Sequence, residues 1–186
     1  QANLAVKQLT ELLDQLLMLA RLDAEQMASI TAISTASEIT SKALLPLQNM
    51  IQENQIQIHK IIHSEQDLFL PQELVAVAIR NVIKNAIQFS SPEQAVSILV
   101  TEQPDFVTWQ ITDEAGGIDA ELLPNVTNRF VHDKKKGNFG LGLSISKAVI
   151  DILNGKLTIS NTKAGLRVDI SLPYSSHDLN SAQTFG

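Results

Sequence analysis

The sequence predicts an α+β fold, and three observations carry that reading. Two pairs of alternating segments, Val96–Thr101 with Asp105–Thr112 and Lys156–Asn161 with Leu166–Leu172, each close around a short polar turn and read as β-hairpins. A further alternating run, Gln55–Ile62, reads as a separate strand. Two longer segments, Pro71 to about Phe89 and Gly140 to Asn154, are predicted to be helices.

The chain has 186 residues, enough for one domain with a real core plus an appendage. With 44% hydrophobic and 18% charged residues it falls in the ordinary soluble globular class. A net charge of −6 argues against non-specific binding to nucleic acid or anionic membranes. There is no cysteine, which excludes disulfides and thiolate-held metals. No apolar run approaches a membrane span, and the N-terminus does not resemble a signal peptide. The chain starts without Met inside a helical pattern, so it is expected to be a piece of something longer.

Taken in order, residues 1–27 have helical spacing, with Ala2, Ala5, Leu9, Leu12, Leu16 and Leu19 forming the seam of a coiled coil or bundle. Leu13, Leu17 and Ala20 widen that stripe beyond what water tolerates. Residues 28–36 are small and polar, a linker or a leading strand. Thr35-Ala36-Ser37-Glu38 is a capping box for a helix to about Asn54, interrupted or bent near Pro46. His59 and His63 fall in the strand-like region that follows. Neither has an acidic neighbour on a helix, and both read as ordinary strand or loop histidines. Pro71 suits a helix start. Residues 119–126 suggest a short helix. Val131–Phe139 is charged and contains Lys134, Lys135, Lys136 and Gly137, reading as a solvated loop. The second long helix ends near Gly155, the last hairpin turns through Lys163-Ala164-Gly165, and residues 174–186 are expected to be a disordered tail.

Three fragments carry chemistry. Asn81 and Asn85 lie four apart, so their amides share one side of an otherwise mostly apolar helix. Polar groups so aligned on a packed helix face a partner or a cavity. Asp113 follows a strand and precedes Gly116 and Gly117, where the backbone can come close and a carboxylate can accept from the amino group of a planar base. Gly140-Leu141-Gly142-Leu143 opens directly into a helix, whose start presents unpaired N–H groups and a positive dipole end that favour phosphate. No Gly-Lys-Ser/Thr follows, so this is not a Walker loop.

Together these residues resemble the histidine-kinase members of the superfamily shared with gyrase, Hsp90 and MutL. The N box is matched by Asn81-x-x-x-Asn85-Ala86 and the first glycine box by Asp113-x-Ala115-x-Gly117. Val126-Thr127-Asn128-Arg129-Phe130 is similar to the F box, and Asn138-x-Gly140-Leu141-Gly142-Leu143 to the second glycine box. The likeness continues through Ile145-Ser146-Lys147, Asn154-Gly155-Lys156 and the strand ending at Pro173. Leu12–Asp23 resembles the second helix of the kinase dimerisation hairpin; the first helix, with its His-Glu phosphoacceptor motif, is absent.

The resemblance implies a two-layer α/β sandwich, a mixed sheet with helices on one face (the Bergerat ATP-binding fold), preceded by a long dimerisation helix. It implies residues 1–30 as hairpin helix and linker, 31–173 as the catalytic ATP-binding domain and 174–186 as a tail. Asn85 would hold Mg²⁺ and, with Asn81, form the catalytic pair that places the phosphates; Gln88 stands where many relatives carry Lys or Arg. Asp113 would bind the adenine amino group beside Gly117 and Ile118. Phe130 would anchor the lid over ATP, and Gly140, Leu141, Gly142 and Leu143 would hold phosphate oxygens. Gyrase-like and Hsp90-like ATPases carry a glutamate at the position of Asn81, which cannot take a proton, so transfer to a side chain is favoured over hydrolysis.

The implied reaction passes the γ-phosphoryl group of ATP to a histidine outside this chain, so no self-phosphorylation is expected, and onward to an aspartate of a response regulator. The implied partners are that regulator and a second copy paired through the hairpin, without nucleic acid. Membrane attachment would come only through regions absent here, this part being cytoplasmic. Ala115, Asn138 and Gln88 depart from the pattern, and Ala115 is expected to restrict the turn beside adenine. Two other readings remain: a degenerate nucleotide-binding or regulator-docking module, and an anti-sigma-type serine kinase, which would lack the helix at residues 1–27.

Overall fold

Residues 32–63, 66–127 and 142–174 are described by the computed structural model of the chain. They run as β1 (Ala32–Thr35), α1 (Ala36–Leu44), a 3₁₀ turn (Leu45–Leu47), α2 (Gln48–Glu53), β2 (Gln57–His63), β3 (Asp67–Leu70) and α3 (Gln72–Phe89). Then follow β4 (Ala95–Gln103), β5 (Phe106–Thr112), a 3₁₀ turn (Leu123–Asn125), α4 (Gly142–Ile152), β6 (Lys156–Asn161) and β7 (Leu166–Pro173). The expected helix at 1–27 and the charged segment 131–139 lie outside the described residues.

Five strands form a mixed sheet in the order β2-β4-β5-β7-β6. Only β2 and β4 pair in parallel; the two predicted hairpins supply the antiparallel pairs, and β5 pairs with β7 to join them. Strand alternation puts Val96, Ile98 and Val100 of β4, Val107, Trp109 and Ile111 of β5, and Val168, Ile170 and Leu172 of β7 on one buried face. The intervening residues, among them Ser97, Thr108, Gln110 and Ser171, face the other way. Such one-sided burial is the pattern of an antiparallel sheet with a solvated face. The helices cover the apolar side, giving the expected two-layer α+β sandwich.

α3 is the centre of that layer: it packs on α1, on α4 and on β4, β5 and β7. Its buried residues are apolar except Asn81. Pro71 caps its N-terminus with φ −73°, where a missing N–H costs nothing. Ser146 of α4 donates its hydroxyl to the carbonyl oxygen of Ala78 at 2.9 Å, which seats α4 against the middle of α3. α1 begins with the predicted capping box: the Thr35 hydroxyl accepts from Glu38 N and the Glu38 carboxylate accepts from Thr35 N. Pro46 lies in the 3₁₀ turn that separates α1 from α2, so the helix is interrupted there as expected. Trp109 is fully buried and donates Nε1–H to Thr40 Oγ1 at 3.0 Å, while Thr40 donates to Ala36 O at 2.6 Å, tying α1 to the sheet.

Three details differ from the sequence reading. β3, which pairs antiparallel with β1, was not expected; four residues with only Leu68 and Leu70 buried are too short a run for alternation to register. The helix expected at 119–126 is a single 3₁₀ turn around Pro124, which removes a donor from a segment too short to nucleate a helix. Tyr174, assigned by sequence to the tail, is buried and donates its hydroxyl to Gln103 O at 3.1 Å.

Candidate functional site

The amphipathic spacing of α3 places Asn81 in the core, 6% exposed, and Asn85 one turn on at the half-buried margin. Among the described residues Asn81 Nδ2 is buried and finds no hydrogen-bond partner. A buried donor of this kind costs stability unless an acceptor completes it. Asn85 faces the first turn of α4. A Cβ placed on Gly142 would lie 3.4 Å from both Asn85 Oδ1 and Nδ2, filling the gap between the asparagine and the helix start. The N-box helix and the second glycine box therefore converge in space. Leu143 is buried and anchors the turn by its side chain, leaving its backbone at the helix start. Gln88 is half-buried in the last turn of α3.

The second cluster follows β5. Asp113 is 5% exposed, and its Oδ1 accepts from Ala115 N at 2.9 Å and Leu166 N at 3.0 Å. Its own N–H donates to Leu166 O at 3.0 Å. Among the described residues nothing donates to Oδ2, so one carboxylate oxygen is committed to structure and the other is available. Gly116 and Gly117 adopt φ of 85° and 79°, the left-handed region that favours glycine. Ala115 is not among the positive-φ residues, and its amide is the donor that orients Asp113. Ala115 thus takes its place in this turn without a left-handed backbone and supplies one of the two N–H groups that orient Asp113.

Ile118 follows that glycine pair directly and is half-buried. Sequence reasoning missed three residues around them. Gly165 is buried where a Cβ would lie 2.2 Å from Asp113 O and 2.4 Å from Asp113 Oδ1. Leu166 holds Asp113 through its backbone. Asn161 bonds both backbone groups of Ile118. A glycine in a hairpin turn reads as an ordinary turn residue, and backbone donors leave no trace in side-chain identity. Phe130, Gly140 and Leu141 lie outside the described residues.

Residues 71–176 match the family described as histidine kinase-, DNA gyrase B- and HSP90-like ATPase. The heme sensor protein HssS of Staphylococcus saprophyticus is 31% identical over 157 residues, covering 74% of this chain and 34% of that protein. The chain spans about a third or less of the length of the curated relatives it matches first. Among solved structures, the mycobacterial sensor histidine kinase MprB superposes with a TM-score of 0.69 at 22% identity, over 78% of this chain and 99% of that one. Full-length ShkA in complex with AMPPNP gives 0.76 at 15% identity, over 91% and 36%. At these identities the structural likeness is one of fold.

Proposed function

The chain belongs to the histidine kinase-, DNA gyrase B- and HSP90-like ATPase family, and we propose that it is the ATP-binding catalytic part of a histidine kinase, whose two clusters hold Mg²⁺-ATP for transfer of the γ-phosphoryl group to a histidine on another segment, and onward to a response regulator aspartate. The observation that carries this reading is the meeting of Asn85 with Gly142. It sets a neutral oxygen ligand beside the N–H groups of a helix start, the two things a metal-bound polyphosphate requires.

The residues present fit the metal. Among the described residues no three His, Cys, Asp or Glu side chains gather into a cage. Asn85 would offer its Oδ1 as an oxygen ligand, with phosphate and water supplying the others, as Mg²⁺ prefers. When bound, Mg²⁺ supplies charge neutralisation across the phosphates. Asn81 offers its buried Nδ2 as a donor to the same region and has no basic group with which to activate water. Gly142 and Leu143 present backbone donors to phosphate oxygens, and Asp113 presents Oδ2 to the adenine amino group. Gly117 and Ile118 border that base, and Gln88 lies toward the phosphates.

In the same reading Phe130, Gly140 and Leu141 complete the nucleotide site, residues 1–30 are the second helix of a dimerisation hairpin and a linker, and 31–173 form the catalytic unit. The partners are a response regulator and a second copy of the protein. Among the described residues no helix is long and apolar enough to cross a membrane. We place this portion on the cytoplasmic side, with any anchor in other regions of the protein.

Calorimetric titration with ATP, with and without Mg²⁺, tests the assignment. Wild-type protein is expected to bind more tightly with the metal, and Asn85→Ala to lose that difference while keeping metal-free binding. Equal metal dependence in both proteins removes Asn85 from the metal; no binding by wild type removes the reading.

A further inference from the structure

Asn161, the last residue of β6, belongs to none of the boxes named above, though it lies within the span that matches the family. Its carboxamide addresses one backbone unit twice: Oδ1 accepts from Ile118 N at 2.9 Å and Nδ2 donates to Ile118 O at 2.7 Å. A planar amide that satisfies both groups of one residue fixes that residue's orientation as well as its position. Immediately before Ile118 stands Gly117, and a Cβ there would lie 2.7 Å from Asn161 Oδ1, so the clamp bears directly on the glycine.

The need for a clamp follows from the backbone. Gly116 and Gly117, with φ of 85° and 79°, give up more conformational freedom on ordering than any other residues would. Gly116 N–H donates to Ala164 O at 3.0 Å, and Asp113 is bonded to Leu166 on both sides. The near half of the turn is therefore held by backbone of the β6–β7 hairpin. The far half, Gly117 and Ile118, is held to that hairpin by the Asn161 side chain.

We propose that Asn161 is a positioning residue of the nucleobase site. It acts through Ile118 and Gly117, keeping the turn in the shape that leaves Asp113 Oδ2 open to an exocyclic amino group, and it does not itself touch the nucleotide. The proposal rests on the reading that Asp113 receives the base.

The test compares the full chain carrying Asn161→Ala, Asn161→Asp or Asp113→Asn with wild type, titrated with Mg²⁺-ADP and with Mg²⁺-tripolyphosphate, which has no base. Asn161→Ala is expected to weaken ADP binding roughly fivefold to tenfold, about what two partly solvated hydrogen bonds supply. Tripolyphosphate binding stays unchanged. Asn161→Asp keeps the acceptor half of the clamp and is expected to fall between the two. Wild-type ADP affinity in Asn161→Ala overturns the proposal, and so does an equal loss for both ligands, which would mark a general loss of structure. If Asn161→Ala does not fold, Asn161→Asp carries the same comparison; failure of both to fold overturns it as well. Unchanged ADP affinity in Asp113→Asn instead overturns the underlying nucleobase reading, whatever Asn161 does.

Discussion

Gly165 stands so close to Asp113 that a Cβ on it would lie 2.2 Å from the Asp113 carbonyl oxygen. The hairpin between β6 and β7 thus presses its backbone against the residue assigned to the base, and only hydrogen fits between them. Gly165→Ala is expected to force the two apart, destabilising the fold by about 1–3 kcal/mol as overpacking does. Because Leu166 N–H moves with Gly165, Asp113 is expected to lose a partner and nucleotide affinity to fall as well. Chemical denaturation and Mg²⁺-ADP calorimetry on the same preparation check both; an unchanged fold and affinity would mean that the turn yields freely.

Asp113→Asn separates recognition from architecture. The amide can keep its oxygen where Oδ1 accepts Ala115 N–H and Leu166 N–H, and it then places a donor at the position of Oδ2. Two donors would face each other once adenine arrives. Binding of Mg²⁺-ADP is expected to weaken by about 1–3 kcal/mol with little change in denaturation midpoint. Unchanged affinity would remove Asp113 from base recognition.

Thr40→Val removes the hydroxyl that accepts from Trp109 Nε1 and leaves a buried donor orphaned. The expected cost is about 1–3 kcal/mol. With Trp109→Phe already in place no donor remains to be orphaned, so the second substitution should cost less. A double-mutant cycle from urea denaturation measures this coupling; strict additivity would show that the bond contributes nothing.

Tyr174 carries a pH prediction. Burial raises its phenol above the ordinary 10.0, and the negative charges of Glu102 and then Asp105 push in the same direction. A group whose folded pKa is raised binds its proton more tightly folded than unfolded. Its contribution is complete below about pH 10 and is lost as pH climbs through the raised folded value. Wild-type stability is therefore expected to fall faster above pH 10 than that of Tyr174→Phe. Parallel stability profiles from pH 8 to pH 11 would contradict this.

How much of the molecule could be read beforehand depended on what kind of signal each part leaves. α3, α4 and the two hairpins were readable because burial on one face imposes a period, and the capping box at Thr35 and Glu38 because it uses side chains. The pairing of β5 with β7 joins segments that no local period connects. β3 is too short to have one. In the site, Asn85 and Gly142 could be named from their spacing, but not that they would meet. That Ala115 N–H would help to orient Asp113 could not be read either, because a backbone donor leaves no trace in side-chain identity. Gly165 and Asn161 act by packing and backbone contact across the sheet edge, which a linear pattern does not encode.

The burial of Trp109 has a practical consequence. It is the chain's single tryptophan, fully enclosed and hydrogen-bonded between α1 and the sheet. Its fluorescence is thus a native, label-free gauge of the core: blue-shifted emission while α1 is docked, moving red on unfolding as water reaches the indole. The same enclosure makes it a poor witness to events at Asp113 or Asn85, so an optical titration with nucleotide would call for a reporter placed elsewhere.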